Sequence, residues 1–506
     1  MSIEDPTHAR APGGAEEPLV YKSARGRRVL AATVLGSGLA QLDGTVVNVA
    51  LPRIGQDLGG GLTSLQWTLN AYTLTLSGLL LLGGSLGDRM GRRRIFVIGV
   101  MWFTAASIGC ALAPGMGVLI AMRALQGVGA ALLTPGSLAI LQASFRREDR
   151  ATAVGAWSGL GGVATAIGPV LGGLLVALAP WGWRLVFVIN VPIAAAVIVL
   201  ARRYIPESRD ERATGRLDVT GAVLASVGLG VVVYALTEGP AKGWSPLIIA
   251  ICAAGVALLV AFLLVESRRP DPLLPLALFR IRQFAASNLV TFAVYAALAG
   301  GLFLLPVQLQ LVAGFSPVAA GAATLPITVL MLLLSARMGR LSARIGPRIP
   351  MTVGPMVAGG AMLWLTGVGA GSTYLGDVLA PMVLFGLGLS ITVAPLTSTV
   401  LAAAPDHQVG IASAINNDVA RIAGLLAVAV LPALAGITPA AYADPALLSA
   451  GFQRAVLIAG ILCAAGGLLA FATICSTLVT AGPTGPPDPA LECAACPVLA
   501  PHIRPR

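Results

Sequence analysis

Apolar runs of about twenty residues, the length a helix needs to cross a bilayer, recur along this 506-residue chain and leave it few possible folds. In hydrocarbon every backbone amide must be satisfied inside its own segment, so runs of this kind become helices. They lie near 29–51, 65–86, 95–113, 117–143, 153–178, 183–201, 218–237 and 246–265. The rest lie near 284–311, 318–336, 349–369, 376–402, 410–435 and 453–474. The expected class is an all-α integral membrane protein of fourteen spans. Composition agrees, since only 11% of residues are charged against roughly a quarter in soluble domains.

The formal net charge of +11 would suit a nucleic-acid binder, but its distribution rules that out. The arginines stand in short clusters between apolar runs and form no stripe interleaved with aromatics. With the N-terminus inside, only Arg53, Arg184, Lys242 and Arg454 of the 33 lysines and arginines fall on the outer side. Arg123 and Arg421 lie within spans, and all the others fall inside. That bias puts both termini in the cytoplasm. Residues 1–28 lack the layout of a signal peptide and are read as a cytoplasmic tail. Near the other end Cys493, Cys496 and His502 offer three ligands where zinc takes four. Residues 475–506 are therefore read as a solvated cytoplasmic tail, and no metal is expected.

The loop after the second span reads GSLGDRMGRR (84–93) and the loop after the tenth reads GRLSARIGPR (339–348). Gly, Leu, Arg, Gly and Arg recur in register, while Asp88 is matched by Ala343. The halves become equivalent if two helices are inserted between them, a duplicated-bundle plan. The expected units are an N-terminal six-helix bundle (29–203), two inserted helices (217–266), a cytoplasmic amphipathic linker (267–283) and a C-terminal six-helix bundle (284–474). The inserted pair carries few polar residues and is expected at the lipid-facing periphery.

Three spans, the first, fourth and thirteenth, hold charges deep within them that hydrocarbon disfavours. Asp43 is the only charge between Val29 and Leu51, and Arg123 lies inside the fourth span. At 1.5 Å per residue Asp43 is roughly 21 Å from the inner face and Arg123 roughly 9 Å from the outer one. In a core about 30 Å thick they reach similar depths. Charges placed there mark substrate paths or proton relays by default. Burial favours a protonated acid and a neighbouring cation favours the carboxylate, so cavity exposure can switch such a group. Arginine cannot carry the proton itself. The alternative is a static ion pair.

Several segments resemble one family. GSLGDRMGRRR (84–94) is similar to the signature loop between helices two and three of the major facilitator superfamily, and LIAMRALQGVGAAL (119–132) to its helix-four motif. GLGGVATAIGPVLGG (159–173) resembles the helix-five signature of its antiporters. LDGTVVNVALP (42–52) and WRLVFVINVPIA (183–194) resemble motifs of its fourteen-helix drug:proton antiporters. The resemblance implies a major facilitator fold and multidrug efflux of hydrophobic or amphipathic compounds. It also implies exchange for protons, use of the proton gradient without a cofactor, and a bacterial inner-membrane location.

On that reading Asp43 and Arg123 couple the proton, and Gly84, Asp88, Arg89, Gly91 and Arg92 form a gating loop. Gly159, Gly168, Pro169, Gly172 and Gly173 belong to the antiporter helix, where small residues let helices touch and the proline kinks the span. Asn48, Asn70, Tyr72, Gln126, Gln308, Gln310, Asn417 and Arg421 are substrate-cavity candidates, each with an interhelical hydrogen bond as its plainer alternative. Asp418 and Arg421, three apart, are read as a self-neutralising pair. The expected partners are a small-molecule substrate, protons and the bilayer, with the chain acting as a monomer. No enzyme motif appears, and neither lysine (Lys22, Lys242) follows a phosphate-binding loop, so energy is expected from an ion gradient. A proton-coupled importer of a metabolite on the same fold is the alternative.

Overall fold

The computed structural model describes residues 18–210, 218–269, 272–405 and 408–476; Cys493, Cys496 and His502 lie outside them. Among the described residues fourteen helices are long and apolar enough to cross a membrane. The first six are α1 (Ala24–Leu58), α2 (Leu62–Met90), α3 (Arg92–Ala111), α4 (Met116–Ser144), α5 (Arg147–Ala177) and α6 (Gly182–Tyr204). Next come α7 (Val219–Lys242) and α8 (Pro246–Arg268). The last six are α9 (Arg282–Leu311), α10 (Pro317–Ile345), α11 (Arg348–Gly367), α12 (Tyr374–Ala402), α13 (Val409–Leu434) and α14 (Pro445–Thr473). The face from which α1 departs, and to which the even-numbered helices return, carries most of the arginines and is termed the basic face; the opposite one is the far face.

Local chemistry sets the helix ends. Ser245 and Ser316 each cap a helix with a side-chain oxygen and are followed by proline, which suits the first turn because it has no N–H to satisfy. Gly91 and Gly346, equivalent in the repeated loops, both hold positive φ, 113° and 85°. A Cβ at Gly91 would lie 2.7 Å from Glu207 Oε1, just beyond α6, and one at Gly346 would lie 2.9 Å from the Ser476 carbonyl, just beyond α14. The sequence repeat is thus also a backbone repeat, with each loop locked by the segment that ends its own bundle.

The two bundles share a core only toward the far face. There Val46, Val47, Ala50 and Leu51 of α1 belong to one apolar cluster with Phe303, Leu304, Val307 and Leu309 of α9. Gln66 Nε2 of α2 donates to the Val428 carbonyl of α13 at 2.7 Å, and Gln310 Nε2 of α9 to the Val49 carbonyl of α1 at 3.0 Å. Toward the basic face the cores separate. One cluster holds Leu30, Phe96, Leu133 and Ile140 of the N-terminal bundle, and another holds Phe284, Val400 and Ile415 of the C-terminal bundle. The contacts therefore close the far face and leave the bundles apart at the basic face.

The inserted helices differ from each other, and the expectation that both are peripheral is corrected for α7. Of the most apolar stretch of α8 11% is buried, against 39% in α7. Leu229 and Val233 of α7 pack with Trp67 and Leu74 of α2 and with Leu425 and Ala429 of α13, so α7 straddles the seam between the bundles. Trp67 Nε1 donates to Glu238 Oε1 of α7 at 3.0 Å. At the basic face Arg269 pairs with Asp218 at 2.5 Å and the Leu274 amide donates to Glu266 Oε2 at 2.9 Å. The link to α9 forms a short helix, Leu276–Arg280, and buries Leu278 against the base of the C-terminal bundle.

Gly91→Ala and Gly346→Ala each force a side chain into a glycine-only backbone region, beside the Glu207 carboxylate in one case and the Ser476 carbonyl in the other. Each substitution is expected to cost about 1–3 kcal/mol, seen as a lower thermal unfolding midpoint in detergent. Wild-type midpoints in both would refute the structural role given to these glycines.

Candidate functional site

Four helices of the N-terminal bundle bring polar side chains to one point inside the spans, and α2 adds a carbonyl and an aromatic ring. Asp43 of α1, Arg123 and Gln126 of α4, Ser107 of α3 and Asn190 of α6 are each 0% exposed. Arg123 Nη1 donates to Asp43 Oδ2 in a close ion pair. The same Nη1 donates to Gln126 Oε1 at 2.6 Å, and Arg123 Nε to the Thr68 carbonyl of α2 at 3.0 Å. Gln126 Nε2 donates to Asp43 Oδ1 at 2.8 Å and to Ser107 Oγ at 2.8 Å. Asn190 Nδ2 repeats this pattern at 3.3 Å to Asp43 Oδ1 and 3.3 Å to Ser107 Oγ. The Tyr72 ring lies 4.3 Å from the guanidinium carbon, a cation–π contact, and its hydroxyl donates to the Ala40 carbonyl at 3.1 Å.

A charge pair in such a place is stable only if its remaining lone pairs and protons are also satisfied. Here the neighbouring amides and carbonyl do most of that, and Arg123 Nη2 and Asn190 Oδ1 are left as buried atoms without a partner. Every hydrogen-bond partner of the Asp43 carboxylate is a donor from another helix. Ser107 and Asn190 were not among the residues singled out from sequence. Asn190 had a signal, a lone amide inside the apolar run VFVINVPI, whereas Ser107 in TAASIGC looks like any small helix-packing residue.

The other candidates scatter. Asn48 Oδ1 and Asn70 Nδ2 are buried without partners. Gln308 donates within its own bundle, to the Val368 carbonyl at 3.0 Å and Ser449 Oγ at 3.1 Å, and Gln310 closes the far face as described. Asn417 is exposed and donates to the Ser413 carbonyl of its own helix at 2.9 Å. Asp418 and Arg421 do not form the expected pair: the short Asp418 side chain keeps Oδ1 buried and without a partner.

In the gating loop Asp88 pairs with Arg92 at 2.8 Å, Glu207 lies 3.6 Å from Arg93, and the Asp210 amide donates to the Asp88 carbonyl at 2.8 Å. Gly84 faces Pro135 of α4, and Arg89 Nε is buried without a partner. These contacts all stay inside the N-terminal bundle. Along α5, Gly168 lies against Thr45 and Gly172 against the Val46 carbonyl, both of α1. Gly173 meets Pro317 of α10, and the Pro169 carbonyl meets Gly321. Gly159 faces open space. The far half of α5 is thus wedged between its own bundle and the other one, at a distance only glycine permits.

Fold and site together define a two-bundle membrane carrier with a buried charge network in its first half. The chain belongs to the Major Facilitator Superfamily, whose model matches residues 33–428. It is 36% identical over 435 residues to the tetracenomycin C resistance and export protein of Streptomyces glaucescens, covering 86% of this chain and 80% of that protein. To the puromycin resistance protein of Streptomyces alboniger it is 38% identical over 408 residues, 80% of each. Among solved structures, a bacterial homolog to the human lysosomal transporter Spinster superposes with a TM-score of 0.66 at 18% identity, over 89% of this chain and 97% of that one. That last likeness is one of fold.

Arg123→Ala leaves the Asp43 carboxylate buried without its counter-ion and is expected to destabilise the protein by about 3–5 kcal/mol. Asp43→Leu with Arg123→Met removes both charges and is expected to recover most of that loss. Thermal unfolding in detergent checks both, and a neutral Arg123→Ala would show the pair to be dispensable.

Proposed function

We propose that this protein exports hydrophobic or amphipathic small molecules, drugs or antibiotics among them, across the bacterial cytoplasmic membrane in exchange for protons. It works by alternating access as a monomer, driven by the proton gradient, with its basic face and both termini in the cytoplasm. The observation that carries this reading is the buried Asp43, whose hydrogen-bond partners are all donors. Three donors from two other helices converge on the carboxylate, the partner set that a charged group needs in hydrocarbon. This network coincides with bundles that are closed at the far face and apart at the basic face, the geometry in which a compound enters from the cytoplasmic side. A proton arriving from outside neutralises Asp43 and loosens its hold on Arg123. Loss of that proton to the cytoplasm restores the pair. The names of the relatives, resistance and export proteins, support the outward direction for the compound.

Everted membrane vesicles test the proposal with ethidium, a fluorescent hydrophobic cation. Respiration is expected to drive ethidium uptake that a protonophore abolishes and that Asp43→Asn lacks, at least tenfold below wild type. If Asp43→Asn keeps full proton-driven uptake, Asp43 is structural. Proton-driven loss of the compound from the same vesicles would instead make the protein an importer.

A further inference from the structure

Ser107 touches neither charge, yet the orientation of the whole network follows from it. Its hydroxyl sits 2.8 Å from the Phe103 carbonyl, which can only accept, so the Ser107 proton is committed there. Toward Gln126 and Asn190 the oxygen can then only accept, and each amide must turn its NH2 group to it. The second hydrogen of each NH2 reaches Asp43 Oδ1, at 2.8 Å from Gln126 and 3.3 Å from Asn190. The Gln126 carbonyl end is thereby aimed at Arg123 Nη1, 2.6 Å away.

We propose that Ser107 is a positioning residue that sets the proton affinity of Asp43 by holding the Gln126 and Asn190 amides with their donors toward the carboxylate. The proposal rests on the reading of Asp43 as the proton carrier and adds the device that tunes it. The unpartnered Asn190 Oδ1 belongs to the same device. When a proton binds Asp43 Oδ1, the new O–H needs an acceptor. Half a turn of the Asn190 amide brings its Oδ1 there, with no bond broken other than hydrogen bonds. That turn also sets the Asn190 oxygen against Ser107 Oγ, so the Ser107 hydroxyl must first leave Phe103. Ser107 therefore opposes protonation. The titratable and charged groups facing Asp43 are Arg123 from α4, Tyr72 from α2 and Cys110 from α3, while α6 adds the apolar Phe187 beside Arg123. Changing Ser107 alters none of them.

Infrared difference titration of the purified full-length protein reads this without any substrate, through the carboxylic-acid C=O band that disappears in Asp43→Asn. Ser107→Ala is expected to move the midpoint of that band to higher pH by about one unit, tenfold in proton affinity, the scale of one or two lost hydrogen bonds. Ser107→Thr keeps a hydroxyl that can bond the same carbonyl and is expected to return the midpoint to that of wild type. An Ala midpoint equal to wild type, or a Thr midpoint displaced as far as Ala, overturns the role of Ser107 and leaves Asp43 as carrier. If wild type shows no titrating band that Asp43→Asn removes, the carrier assignment itself fails, and this inference falls with it.

Discussion

An aspartate and an arginine buried together in hydrocarbon govern the rest of this molecule. Moving each ion out of water costs several kcal/mol, and their attraction offsets this only when geometry and hydrogen bonding are both good. The N-terminal bundle meets that condition by directing amides from α4 and α6, a hydroxyl from α3 and a carbonyl from α2 at a pair formed by α1 and α4. None of these helices can rotate or slide without breaking a hydrogen bond in a medium that offers no water in exchange. The pair is therefore a constraint on the packing of the bundle as well as its proposed proton site. The C-terminal bundle has its own buried polar contacts, such as Asn416 Nδ2 to Thr291 Oγ1 at 2.8 Å, but they join neutral groups.

Glycine supplies the complementary property, the freedom to come close and to part. The α5 glycines bring backbone against backbone at the far face, where van der Waals contact replaces a hydrophobic drive that lipid cannot provide. Few hydrogen bonds cross between the bundles there, and those from Gln66 and Gln310 reach backbone carbonyls that any rotated neighbour can offer. A rigid charged network inside one bundle and a weakly bonded, closely fitted seam between bundles suit a machine whose halves move as bodies.

Much of this was legible in the sequence because membrane helices announce themselves by length and hydropathy. Asp43, Arg123, Gln126 and Tyr72 stood out as polar groups in apolar runs, and the structure joins them. What stayed hidden depends on rotation of helices about their axes. Ser107 is one serine among many, and only its bond to the Phe103 carbonyl makes it a directional acceptor. Gln308 and Gln310, cavity candidates with an interhelical hydrogen bond as the plainer alternative, take that alternative: one reaches the Val368 carbonyl just past α11 and the other the Val49 carbonyl of α1. The burial of α7 was illegible for a different reason: hydropathy cannot distinguish a leucine facing acyl chains from one facing another helix. Leu229 and Val233 read the same either way.

The placement of α7 makes the two seams between the bundles unequal. Two six-helix bundles related by an approximate twofold axis would present two similar clefts to the membrane, one between α2 and α13 and one between α5 and α10. Here the first is roofed by α7, with α8 packed outside it, while along the second Leu160, Ile167 and Leu174 of α5 and Leu332 and Leu333 of α10 are exposed. Acyl chains therefore border the cleft itself on the α5–α10 side and meet α7 and α8 on the other. The bilayer thus couples to this carrier asymmetrically, so changes in lipid order or lateral pressure act on the α5–α10 cleft directly and on the roofed one through α7 and α8.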